Sequence, residues 1–385
     1  MPVSGTTRCA SPFVVRGWCP SAWRPLESGD GLIVRLRPPL ARLTRAQALG
    51  LCELALGHGS GTLDLTSRGN LQLRGVRETT LRPLLEGLVA LGLVDGDAER
   101  EARRNLTLAP DWSEGDETEG IARAFMDRLD RLPPLPGKVG FAIDAGSQPV
   151  LGLVPADFRI ERGETGALIL RAEGRETGVP VDMDGAAEAL IDLAHWFVDS
   201  GGAGSGRMVR HHAELPAWAQ GAVRPAAPRG PLAPGLHPLG AAFGVAFGSL
   251  HAEALAELLD KTEARAVRLT PWRVLLLENA ALVPAVGFAT EASDPSLRAD
   301  ACPGMPACPQ ASVETRPVAE RLAPHVAGRL HVSGCAKGCA RSLPAAVTLT
   351  GRGGTFDLSF ETRAGAPPVI AGLQPHQILT HFGAD

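Results

Sequence analysis

Two stretches of the chain repeat one pattern of apolar and polar positions. Residues 63–76 read LDLTSRGNLQLRGV and residues 267–280 read VRLTPWRVLLLENA, which aligns Leu65 with Leu269, Thr66 with Thr270, Leu71 with Leu275 and Leu73 with Leu277. Apolar residues at alternate positions predict half-buried strands in each copy. Ahead of the first copy stand LIVRLR (32–37), read as a strand, and RAQALGLCELAL, whose Ala46, Leu49, Cys52 and Leu56 recur near one helical face. Ahead of the second stand FGVAFG (243–248), read as a strand, and HAEALAELLDK, with Ala252, Leu255, Leu258 and Leu259 on one face. One strand–helix–strand unit buries too little apolar surface to stand alone. The two copies are therefore expected to pair into one shared sheet with pseudo-two-fold symmetry, the competing explanation being chance likeness of short strand patterns.

Between the copies, residues 216–236 are rich in Pro, Ala and Gly and predict an extended linker. ALILRAEGRETGVPV (167–181) and VTLTGRGGTFDLSF (347–360) read as hairpins, so the class is α+β. LAHWFVDS reads as helical, which leaves the following GGAGSGR (201–207) a loop rather than the phosphate turn of a strand–turn–helix unit.

A chain of 385 residues exceeds what one core usually supports, in line with a duplicated body. The net charge of -4 argues against nucleic acid or anionic lipid as the main partner. No apolar run of about 18 residues predicts a membrane span, and the opening MPVSGTTRCASPFVV lacks the basic segment and apolar core of a secretory signal. The expectation is a cytoplasmic protein with a small-molecule partner, no nucleic acid and no membrane.

Seven cysteines, four of them in the last quarter, fit a disulfide framework poorly. Cys302 and Cys308 enclose five residues (CPGMPAC), and Cys335 and Cys339 enclose three (CAKGC). Four thiolates from two loops can hold tetrahedral zinc or a cubane iron–sulfur cluster. Structural zinc favours tighter knuckles, so the wide first loop suits the cluster. Gly304, Gly334 and Gly338 permit close backbone approach, and Pro303, Pro306 and Pro309 stiffen the first loop. Cys52 reads as a small buried hydrophobe; Cys9 and Cys19 have no partner motif.

The two cysteine pairs resemble those of the siroheme nitrite and sulfite reductase superfamily, which carry a 4Fe-4S cluster, and the repeat resembles that superfamily's ferredoxin-like half domains. LTSRGNLQLR (65–74) is similar to its strand with T-x-R-x-x-x-Q, placing Arg68 and Gln72. Arg104 and Asn105 in EARRNLTLAP resemble its active-site Arg-Asn pair, and Lys138 in LPGKVGFAID occupies the first of two lysine positions, the second being Gly140 here. A small oxyanion needs several cations around it, so Gly140 weakens the case for such a substrate. RGWCPSAWRPLESGDGLIVRLRPP (16–39), with Arg16, Gly17, Cys19, Pro20, Pro25, Gly29, Asp30 and Gly31, resembles the opening of the precorrin-3B synthase branch.

The resemblance implies an internally duplicated fold with two ferredoxin-like half domains pairing into one body plus two α/β cluster- and substrate-binding domains. The expected boundaries are 1–85 for an N-terminal segment and first half domain, 86–215 for the first reductase-like α/β domain, 216–236 for the linker, 237–290 for the second half domain and 291–385 for the 4Fe-4S domain. It further implies oxidation of precorrin-3A by dioxygen at C20 with γ-lactone formation in aerobic cobalamin biosynthesis. Electrons would come from NADH through a separate reductase and the cluster on Cys302, Cys308, Cys335 and Cys339. Dioxygen reacts slowly with closed-shell molecules, so an additional non-haem iron is expected. No ligand set for it is legible, and His211, His212 and His331 each read first as structural.

Arg68, Arg104 and Lys138 are the candidate catalytic residues. With Asn70, Gln72, Asn105 and Arg341 they are also the candidate substrate contacts, because the rim carboxylates of a tetrapyrrole call for forked or point cations. Asn70 and Gln72 are expected on the strand face that carries Arg68. A siroheme-dependent nitrite or sulfite reductase is the alternative enzyme. A noncatalytic electron carrier or zinc-stabilised protein would leave Arg68, Arg104 and Lys138 without a common purpose.

Overall fold

The computed structural model describes residues 19–384, so Cys9, Arg16 and Gly17 lie outside the described residues. The chain divides into two units, one of residues 19–27 and 31–292 and the other of residues 28–30 and 293–384.

In the larger unit each repeat folds into an antiparallel sheet. The first contains Gly31–Leu36, Leu71–Val76 and Thr62–Leu65 in that order, the second Gly240–Val245, Val274–Glu278 and Ala266–Leu269. Each is extended by a short strand from the other copy: Ser249–His251 pairs with Thr62–Leu65, and Arg42–Thr44 pairs with Ala266–Leu269. The pseudo-two-fold body is therefore present, but as two sheets that exchange an edge strand rather than one shared sheet. The cause is a tight turn after each leading strand, with Leu40 (φ 54°) and the matching Phe247 (φ 57°) in left-handed backbone. For the same reason FGVAFG is not wholly a strand: it leaves the sheet at Val245 and turns through Ala246–Gly248.

Thr44 starts the helix Arg45–His58 with a capping box, its hydroxyl accepting from Gln47 N while the Gln47 side chain accepts from Thr44 N, a device worth ~1 kcal/mol. This helix buries Ala48, Leu51, Cys52 and Ala55, while Leu56 is exposed; its inner face is thus offset from the one expected. The mate helix Ala252–Thr262 buries Ala252, Leu255, Leu258 and Leu259 as the spacing predicted. Both pack on Val34, Leu36, Leu63 and Leu73 of one sheet and Phe243, Val267, Leu275 and Leu277 of the other.

Strand alternation turns a second face of each sheet away from those helices, and here the copies diverge. Arg35 and Asp64 flank Gln72 in the first sheet, whereas Ala242 and Arg268 flank Leu276 in the second. Ala242, Val274 and Leu276 form a small apolar cluster. Of the two equivalent faces, only the first carries Arg35 and Gln72.

The remaining chain forms two mixed sheets on one plan, three parallel strands followed by two antiparallel ones. In the larger unit these are Leu106–Leu108, Phe141–Asp144 and Phe158–Arg162, then Leu168–Ala172 and Val179–Pro180. In the smaller unit they are Ala299–Ala301, Leu330–Ser333 and Ala345–Arg352, then Thr355–Thr362 and Ile370–Leu373. Both expected hairpins form, the second through Gly353 and Gly354, whose φ of 56° and 86° suit a two-residue turn that glycine makes cheaply. Among the described residues no helix is long and apolar enough to cross a membrane.

Candidate functional site

In the smaller unit the two cysteine loops leave the carboxyl ends of adjacent parallel strands. Cys302 directly follows Ala299–Ala301, Cys335 follows Leu330–Ser333 by one residue, and the two strands run in register with Ala301 opposite Val332. Gly334 N donates to Cys302 Sγ at 3.2 Å, and Cys308 N donates to Gly304 O at 2.7 Å. A Cβ on Gly304 would meet Thr315 Oγ1 at 2.7 Å, and one on Gly334 would meet Ala311 Cβ at 2.5 Å, so both loops close as only glycine permits. Residues 28–30 brace the first loop: Gly29 N and Ser28 Oγ donate to Ala307 O at 3.1 and 2.6 Å, and a Cβ on Gly29 would stand 2.2 Å from Pro306 O. The GDG motif at 29–31 thus touches the cysteine loop through its first glycine.

Burial pushes the Cys335 thiol above its ordinary value, and the charges of Cys302 and Cys308 add to this while Lys337 opposes it. Desolvation likewise raises Cys339, with Cys302, Cys335 and Cys308 contributing against Lys337. The four thiols therefore share one electrostatic site, where a bound cationic centre would hold them as thiolates. The donor set, four thiols on two adjacent loops, has the chemistry of a thiolate-held metal centre.

The larger unit holds a basic cluster of side chains. Arg68 and Asn70 lie in a turn in which Thr66 Oγ1 accepts from Arg68 N at 3.3 Å and Asn70 N at 3.1 Å. Strand Leu71–Val76 begins only after them, so of the three residues expected on one strand face Gln72 alone is on a strand. Arg68 Nη2 donates to Lys138 O at 3.1 Å, and Asn105 Nδ2 to Val139 O at 2.5 Å. A Cβ on Gly140 would stand 2.9 Å from Asn105 Nδ2 and 3.2 Å from Arg68 Nη1. Gly140 N donates at 3.0 Å to Asp157, a fully buried carboxylate that also accepts from Arg207 Nε and Met208 N, each at 2.8 Å.

Arg35 completes this group. With its amide oxygen toward the strand partner, Gln72 accepts from Arg35 Nη2 at 2.7 Å and Nε at 3.1 Å, and Arg35 also hydrogen-bonds Cys19. Burial lowers the Arg68 guanidinium from its ordinary value, and the charges of Arg207 and Arg35 add to that while Asp157 opposes it. Guanidinium groups stay protonated under such pressure, so the cluster holds positive charge that an anionic ligand would relieve.

Arg104 is placed differently. It is buried, with Nη2 donating to Glu101 Oε2 at 2.5 Å and to Leu93 O at 3.0 Å. Arg37 Nη1 donates to Glu101 O at 3.2 Å, and Arg37, Asn70 and Arg104 line one narrow pocket. Burial raises the Glu101 carboxyl against the pull of Arg104 and lowers Arg37 to about 10.

In the smaller unit Arg341 donates to Pro344 O at 2.9 Å and to the buried Asp300 at 3.4 Å. His211 is buried with a ring nitrogen 2.8 Å from Ser200 Oγ, between Trp196 and Phe197, and burial lowers its pKa. His212 is exposed, and His331 is buried on its strand, 3.6 Å from where a Gly338 Cβ would lie. Arg35, Arg37, Arg207 and Glu101 escaped the sequence reading. The first two were signalled by cations at alternate positions of an apolar strand, whereas Arg207 carried no such signal and follows a one-turn helix, Gly202–Ser205, where residues 201–207 were expected to be a loop.

A family model of the nitrite/sulfite reductase ferredoxin-like half domain matches residues 24–91. A precorrin-3B synthase of Sinorhizobium sp is 32% identical over 413 aligned residues, covering 94% of this chain and 88% of that protein. The ferredoxin–nitrite reductase of Synechococcus elongatus is 31% identical over 34% of this chain and 27% of its own length. Among solved structures, the NirA protein of Mycobacterium tuberculosis superposes with a TM-score of 0.59 at 16% identity, over 90% of this chain and 78% of that one, a likeness of fold.

Proposed function

The chain belongs to the precorrin-3B synthase family, and from that premise we propose that it oxidises precorrin-3A at C20 with dioxygen, the ring A acetate closing as a γ-lactone. One oxygen atom enters the macrocycle and the other leaves as water, so two electrons are required, drawn from NADH through a separate reductase. When bound, a 4Fe-4S cluster on Cys302, Cys308, Cys335 and Cys339 supplies one-electron transfer, at a potential set in part by hydrogen bonds such as Gly334 N to Cys302 Sγ. The proposal includes an additional non-haem iron, for which the described residues offer no grouped ligands. The setting is cytoplasmic.

The observation that carries this reading is the contact of Gly140 with Asn105 and Arg68. No side chain fits at 140 without displacing its neighbours, and Arg104 is occupied by Glu101. The cations of this region are thus not concentrated around one small oxyanion. Arg35 and Arg68 are spread over a sheet face and an adjoining turn, with Lys138 exposed near them, an arrangement suited to separate carboxylates on the rim of a tetrapyrrole. Arg68 and Lys138 orient such a ligand, and Gln72 holds the Arg35 fork in place.

The test is incubation with precorrin-3A, NADH, a reductase and isotopically labelled dioxygen. The product is expected to carry one labelled oxygen atom, and Arg68→Ala to slow its formation. Reduction of nitrite or sulfite in place of this conversion would refute the proposal in favour of a siroheme enzyme.

A further inference from the structure

A cavity of about 290 Å³ opens beside the second sheet of the larger unit, and neither Arg35 nor Arg68 is among its lining residues. Its wall is a charged cluster. Arg42, on the edge strand lent by the first repeat, grips Glu278 through Nε and Nη2 at 2.7 Å each, and Arg268 Nε reaches the same carboxylate at 2.7 Å. Burial works against ionisation of Glu278, yet hydrogen bonds from Arg42 and Arg268 hold it at about 2. Two guanidinium groups on one carboxylate leave one positive charge over.

The internal repeat supplies a control for this arrangement. Asp64, Arg74 and Ser249 occupy the positions equivalent to Arg268, Glu278 and Arg42, with Ser249 paired to Asp64 as Arg42 is paired to Arg268. In the first sheet Arg74 stands 3.4 Å from Asp64, and a serine occupies the position of the second arginine. In the second sheet Arg268 Nη1 also donates to Pro110 O at 2.9 Å and to Trp112 O, and Arg42 is the added cation.

Trp112 adds a second signal. It is 6% exposed and its ring lies 4.1 Å below the Arg268 guanidinium, yet its sheltered indole N–H has no acceptor among the described residues. A buried donor without an acceptor is unfavourable, and Trp112 lines the cavity. Arg265 stands at the rim as a further cation. Of the opposing charges, Glu119 is engaged by Arg123 at 2.7 Å and by Gly115 N at 2.6 Å, and Glu114 is exposed. Four arginines against three glutamates leave the lining positive.

We propose that this cavity binds a small oxyanionic ligand, a carboxylate or phosphate group that accepts from Trp112 Nε1 and faces the Arg42–Arg268 pair. Its volume lies at the lower end of ligand pockets, about 300–1,000 Å³, which limits the ligand to a small metabolite. The assignment stands independently of the tetrapyrrole reading.

The test is calorimetric titration of the full chain with inorganic phosphate at constant ionic strength. Saturable binding is expected, weakened about tenfold or more in Trp112→Phe and in Arg265→Ala, the loss of one charge-assisted hydrogen bond, and unchanged in Arg68→Ala. Trp112→Phe keeps the ring beneath Arg268 and removes only the unmatched donor, so it preserves the fold. Absence of saturable binding, binding untouched by both cavity substitutions, or binding lost in Arg68→Ala instead would each overturn the proposal.

Discussion

Gly140 and Asn105 are fitted against each other so closely that a Cβ on Gly140 would stand 2.9 Å from Asn105 Nδ2. The same glycine donates its N–H to the buried Asp157, so it cannot retreat. Gly140→Lys is therefore expected to displace Asn105 and Arg68 rather than restore a two-lysine pocket. Overpacking of this kind costs about 1–3 kcal/mol, readable by denaturant unfolding, and KM for precorrin-3A should rise. A variant as stable as the parent that reduces nitrite would contradict this.

Gly29 lies against the first cysteine loop, 2.2 Å from Pro306 O once a Cβ is added. Gly29→Ala is expected to shift that loop and lower the iron and sulfide retained per chain after anaerobic purification. Cys52→Ala, in the apolar helix face, should leave both contents unchanged. Equal iron in Gly29→Ala and the parent would mean that residues 28–30 merely pass the loop by.

Glu101 is fully buried and neutralises Arg104 beside Arg37. Removing one partner of a buried pair strands the other, at a cost of about 3–5 kcal/mol. Glu101→Ala should show that loss in unfolding experiments. A loss below about 1 kcal/mol would instead show that the pair behaves like an exposed one.

Asp144, at the end of strand Phe141–Asp144, is pushed up to about 6 by burial, against hydrogen bonds from Val150 N and Leu151 N. Its ordinary value is 3.8, so between these pH values the folded chain holds a proton that the unfolded chain has released. Its contribution is present in full below about 4 and is lost as pH rises to about 6, roughly 3 kcal/mol in all. Asp144→Asn should flatten this step in stability against pH. An unchanged profile would place the carboxyl near its ordinary value.

Much of the architecture was legible because it is local. The cysteine spacing, the repeated strand–helix–strand units and the glycine turn at Gly353 and Gly354 are short-range features, and each marks its element. The strand exchange was not legible, because it depends on left-handed turns at Leu40 and Phe247, residue types that do not advertise them. Nor was the contact of Gly29 with Pro306, which joins residues far apart in the chain. Arg35 was missed although it stands two residues before Arg37 in an otherwise apolar strand. The engagement of Arg104 by Glu101, three residues earlier, is equally legible as a helical spacing.

The most direct measurement is the iron, sulfide and tetrapyrrole content of the anaerobically purified chain. At least four irons and about four sulfides per chain are expected, lost when any of Cys302, Cys308, Cys335 or Cys339 is replaced by alanine, with no stoichiometric siroheme in the acid extract. Stoichiometric siroheme, or a single zinc in place of iron, would contradict it.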